Sequence, residues 1–72
     1  MILLDEITTE LNDARMKFPN FHNYHEGYAV LLEEMDELWD AIKSKNSNRN
    51  FVKKEAIQVA AMALRFLTDC CG

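Results

Sequence analysis

Glycine, proline and cysteine are scarce in this chain of 72 residues, which carries two glycines, one proline and two cysteines. The shortage of glycine leaves no loop that could cradle a phosphate in the glycine-rich manner. Cys70 and Cys71 are adjacent, a spacing at which two thiols rarely bridge each other comfortably and which fits no cysteine-based zinc pattern. They read as free thiols of a reducing cytosol, so a cytoplasmic location is expected. No long apolar run is present either. Met1 to Leu4 is broken by Asp5 and Glu6, which suits neither the apolar stretch of a signal peptide nor a membrane span. Basic residues are the minority sign, 8 against 12 acidic for a net charge of -4. That balance argues against a general binder of nucleic-acid polymers, whose affinity would rest on a basic face. Strand-like alternation and internal repeats are missing as well.

What the chain does have is helical periodicity. Leu4, Ile7, Leu11, Ala14 and Phe18 recur at alternating three and four spacing and predict a first helix from about Leu3 to Phe18, ended by Pro19 and Asn20. Asn23 followed three residues later by Glu26 has the form of a capping box opening a second helix. Projected at about 100° per residue, Tyr28 to Lys43 places Tyr28, Leu31, Leu32, Met35, Leu38, Trp39 and Ile42 on one broad apolar arc, expected to be the core stripe. Lys43 to Asn50, rich in Ser and Asn, predicts the second connection. From Val52 to Leu67 apolar residues and alanines cover most of the helix circumference, so a third helix buried on nearly all sides is expected. The chain is therefore read as one all-α domain over residues 1–72, an antiparallel bundle of about three helices. It is too short to bury a large core alone, and completion by homo-oligomerisation is expected.

The acids of the second helix divide into two groups. Glu33, Asp36 and Asp40 lie on an arc without apolar company, whereas Glu34 and Glu37 flank Val30 and Ala41 on a small-residue face. Carboxylates placed for partial burial need a cation or hydrogen-bond donors to offset desolvation. The third helix has one polar strip, Glu55, Gln58, Arg65 and Asp69. Glu34 with Glu37 and Glu55 with Gln58 are each three positions apart, so each pair shares a helical face. Two such faces brought together make an oxygen cage for a divalent cation, against the alternative of a merely solvated acidic face.

These residues resemble the MazG-like all-α nucleoside triphosphate pyrophosphohydrolases. The family motif is two glutamates, two variable residues and a third glutamate, then, after a spacer, a glutamate, two variable residues and an aspartate. Glu33, Glu34 and Glu37 match the first half and Glu55 the start of the second, with 17 residues from Leu38 to Lys54 between them. The resemblance covers roughly residues 20 to 70, and the departure is Gln58, where the pattern has aspartate. An amide can offer an oxygen to Mg²⁺ but brings no charge, which leaves the number of metals and the rate open.

The resemblance implies hydrolysis of a nucleoside triphosphate to the monophosphate and pyrophosphate. It also implies Mg²⁺, with Mn²⁺ as an alternative, held by Glu34, Glu37 and Glu55 with Gln58 as a weaker ligand, and a homodimer or a tetramer. Glu33 would position or activate water or reach a second metal, so Glu33, Glu34, Glu37 and Glu55 form the expected catalytic set. Lys53, Lys54 and Arg65 are expected phosphate contacts. His25 and Trp39 are candidates for the rim of a base pocket, since bases stack on aromatic faces, although Trp39 also shares the expected core stripe. His22 and His25 read more simply as residues of a loop and first helical turn than as ligands. Two other classes stay open: a nucleotide-binding or sensing module with weak catalysis, which Gln58 would suit, and a purely structural helical assembly.

Overall fold

The computed structural model describes residues 2–72, so Met1 lies outside it, and it contains three helices and no strand among those residues. Helix α1 spans Ile2–Lys17, α2 spans Tyr24–Lys43 and α3 spans Arg49–Cys70. The Asn23 side chain accepts the Glu26 N–H at 2.8 Å and so caps α2. Only that half of the capping box forms, because the Glu26 carboxylate turns to the N–H and ring of His22 instead. Asn48 plays the same part for α3, accepting the Phe51 N–H at 3.0 Å. This cap starts α3 three residues before the expected Val52, and the helix runs on to Cys70. At 1.5 Å per residue α3 is about 33 Å long, close to the 37 Å length of the whole domain.

Helix α3 is the shared support. Both α1 and α2 pack on it, and among the described residues α1 and α2 bring no Cα atoms within 8 Å of each other. Ala41 of α2 and Ala61 of α3 are fully buried, and small side chains let helix axes approach closely. Gly27 belongs to the same seam: a Cβ there would stand 2.5 Å from the Phe66 ring and 3.2 Å from that of Phe21. Near the far end of the domain, the Asp69 carboxylate accepts the Phe21 N–H at 3.1 Å and pairs with Arg15 at 3.0 Å. Burial disfavours the charge on Asp69, but these donors outweigh it and hold the carboxyl below its usual range. The knot ties the end of α1, the first connection and the end of α3 together.

The expected core stripe needs correction for the single chain. The side of α2 that meets α3 carries Gly27, Glu34 and Ala41, whereas Tyr28 is 62 % and Trp39 57 % exposed, with Leu32, Met35 and Ile42 also exposed. Nor is α3 enclosed all round, since Ala56, Leu64 and Leu67 are exposed. The small-residue face won the packing because α3 presents alanines there, leaving the bulkier stripe facing outward.

Candidate metal centre

The acid pairs meet where α2 crosses α3. One carboxylate oxygen from each of Glu34, Glu37 and Glu55 can be chosen so that all lie within 4.8 Å of one another. Ligands on opposite sides of one cation are separated by at most two metal–oxygen bonds, about 4.2 Å for Mg²⁺ and roughly 4.6–5.2 Å for Ca²⁺. Sub-ångström side-chain adjustment therefore brings the set onto either ion. Glu34 and Glu55 are half-buried and Glu37 is exposed.

Glu34 Oε2 is buried and has no hydrogen-bond partner. Its carboxyl is pushed up to about 7, first by burial, then by the charge of Glu37 and the hydrogen bond that a protonated Glu34 makes with it, and by the charges of Glu55 and Glu10. Two carboxylates hydrogen-bond only when one carries a proton, so without a cation this group competes for a proton at neutral pH. A hard-oxygen donor set with an unpartnered buried oxygen fits a divalent cation.

Glu34 and Glu37 line one wall of a cleft of about 640 Å³ between α1 and α2, floored by α3, and Glu55 stands outside that lining. Gln58 and Met62 belong to its floor, Glu33 stands on the α2 wall, and Phe18 and Lys17 close the other end. Asp36 and Asp40 stand apart from this lining, and Asp40 pairs with Lys43 on the outer surface at 3.4 Å. Glu10 and Asp13 of α1 join the cleft, although the periodicity of α1 predicts only a packing face. Glu10 borders the Ile7, Leu11 and Ala14 stripe, the same placement that singled out Glu34 beside Val30 and Ala41.

The remaining expected site residues are distributed differently. Lys53 and Lys54 line a neighbouring groove between α1 and α3 that shares Glu10 with the cleft, and Lys53 pairs with Glu6 at 3.3 Å. Arg65 reaches the cleft floor but is 5 % exposed and bound into the fold. It donates to the Pro19 carbonyl at 2.6 Å, lies 4.0 Å from the centre of the Phe21 ring and approaches Asp69 at 3.7 Å. His25 and Trp39 are exposed and stand outside the cleft lining. No protein-family profile, curated protein or solved structure matches the chain.

Proposed function

We propose that the chain is a divalent-cation-dependent nucleoside triphosphate pyrophosphohydrolase. The observation that carries this reading is the convergence of Glu34, Glu37 and Glu55, from two helices, around an unpartnered carboxylate oxygen. Glu34, Glu37 and Glu55 would hold Mg²⁺ or Mn²⁺, and Gln58, in the cleft lining with Glu34 and Glu37, would add a neutral oxygen. A cation there neutralises triphosphate charge and polarises the phosphoryl group that water attacks. Glu33, exposed on the cleft wall, orients that water and takes its proton. Lys17 at the far end, and Lys53 and Lys54 across Glu10, supply counter-charge to phosphate oxygens.

The register of α2 on α3 supports an antiparallel bundle. Gly27, early in α2, meets Phe66 late in α3, whereas Glu37, later in α2, meets Glu55 early in α3. Homo-oligomerisation belongs to the same reading. Pyrophosphate release from a panel of canonical and modified nucleoside triphosphates, with and without Mg²⁺, tests it. Metal-dependent turnover is expected. Metal-dependent nucleotide binding without turnover would make the protein a sensing module, and failure to bind either metal or nucleotide would reduce the acids to a structural role.

A further inference from the structure

Helix α2 has a second face that the fold leaves without a partner. Tyr24, Tyr28, Leu32, Met35, Trp39 and Ile42 follow one another at spacings of three or four and are 44–63 % exposed. At 100° per residue they occupy an arc of only about 80°. Together they expose on the order of 700 Å² of side-chain surface, taking the usual areas of such residues. A monomer's largest apolar patch is typically about 300–600 Å², whereas each side of a standard protein interface covers about 800 Å². The stripe thus lies above the one range and near the other before its neighbours are counted.

We propose that this stripe is the seat of a second copy of the same chain, with the two α2 helices packed antiparallel about a two-fold axis at Met35. Such an isologous contact must be self-complementary. With Met35 on the axis, Tyr28 faces Ile42 and Leu32 lies within one residue, about 1.5 Å, of the level of Trp39, so each large ring meets a smaller aliphatic side chain and the layers interdigitate. A parallel pairing would stack Trp39 on Trp39 and Tyr28 on Tyr28, with smaller Leu32 layers between, and would align the helix dipoles unfavourably. The site acids are on another side of the helix. Glu34 and Glu37 lie about 120–180° around α2 from the centre of the stripe, so pairing leaves the cleft open to substrate. The assignment rests on exposure and spacing alone and stands whether or not the cleft is catalytic.

Three measurements on the full chain test it. In the wild type, sedimentation at micromolar concentration gives twice the chain mass. The emission of Trp39, the single tryptophan, shifts to the red on dilution in step with the loss of mass. Met35→Glu weakens association by about a hundredfold or more, because each dimer carries the substitution twice at its centre, while circular dichroism checks that the helices remain. In a Cys70→Ser, Cys71→Ser background, Met35→Cys forms an intermolecular disulfide. Tyr28→Cys does not, its copy lying about 21 Å away along the antiparallel pair, and neither does Asn12→Cys on exposed α1. A wild-type chain of single mass, an emission indifferent to dilution, or a Met35→Cys cross-link no faster than that of Asn12→Cys would overturn the pairing. A Tyr28→Cys cross-link as fast as that of Met35→Cys would overturn its antiparallel register.

Discussion

Glu34→Gln offers the sharpest test of the acid cage, because its effect on stability should change sign with pH and with metal. The Glu34 carboxyl is raised from 4.5 to about 7 in the folded chain, so the native state holds this proton more tightly than the unfolded state does. Its favourable contribution is complete below about pH 4.5 and is lost as pH rises through about 7. The full shift corresponds to about 3 kcal/mol at 1.36 kcal/mol per unit. Half-burial and solvent screening reduce this to about 1–2 kcal/mol. Metal-free wild type should therefore lose stability between pH 4.5 and 7, whereas Glu34→Gln should lack that slope. At pH 8 the metal-free variant should melt about 4–16 °C higher, at 4–8 °C per kcal/mol for a domain of this size. Mg²⁺ at a hundred times its dissociation constant stabilises the wild type by about 2.7 kcal/mol and reverses the order. Thermal melts at pH 5 and pH 8, with EDTA or with Mg²⁺ and at one protein concentration, read all four cases. Equal destabilisation by Glu34→Gln at both pH values, with no difference in response to Mg²⁺, would refute the account of Glu34 as a cation-seeking carboxylate.

Glu55→Gln should lower Mg²⁺ affinity and turnover by at least about tenfold while Asp40→Asn, outside the three-carboxylate cluster and paired with Lys43, stays within about twofold; titration calorimetry and pyrophosphate release compare them. Gln58→Asp should tighten Mg²⁺ binding and raise hydrolysis at low Mg²⁺, at some cost to metal-free stability through repulsion from Glu55. If both affinity and rate stay unchanged in the folded variant, Gln58 lies outside the coordination shell. Gly27→Ala should destabilise by about 1–3 kcal/mol in denaturant unfolding, although alanine ordinarily favours a helix, because the added Cβ runs into the Phe66 ring.

Periodicity and capping residues made the three helices legible, and Asn23 stands where the sequence reading placed it, with its side chain on the Glu26 N–H. The same projection separated Glu34 and Glu37 from Asp36 and Asp40, because an acid flanked by Val30 and Ala41 is drawn toward a seam while an acid among acids is not, but it set Glu33 with the outer acids, whereas Glu33 lines the cleft beside Glu34. It failed on the competition between two apolar faces. The bulky face from Tyr28 to Ile42 looked like the core by size, yet the alanine-rich surface of α3 accepts the side with Gly27 and Ala41. Which face pairs within a chain depends on the partner helix, and one helix read alone does not contain it. The role of Arg65 was hidden for a related reason: the Pro19 carbonyl and the Phe21 ring that hold it come from a connection 46 and 44 positions away, beyond any local pattern.

The knot at Asp69 makes α1 a lever with one clamped end. Arg15 near its C-terminus is tied to Asp69 and Thr68, while toward its start the charged tie to α3, beside the half-buried Ile7 and Leu11, is the partly exposed Lys53–Glu6 pair, of a kind worth about 0–1 kcal/mol. No residue of α1 is buried, and α1 forms one wall of the cleft with no Cα atom within 8 Å of one in α2. Widening the cleft would therefore cost less at the end of α1 that carries Glu6 than at the end that carries Arg15. Glu10 would swing away from Glu34 while Glu34, Glu37 and Glu55, seated on α2 and α3, keep their spacing. Amide hydrogen exchange should report this as a gradient along α1, fastest in its first turns and slowest beside Arg15, and uniform protection along the helix would show that the wall is fixed. A cleft hinged in this way would widen by moving one helix while Glu34, Glu37 and Glu55 stay in place.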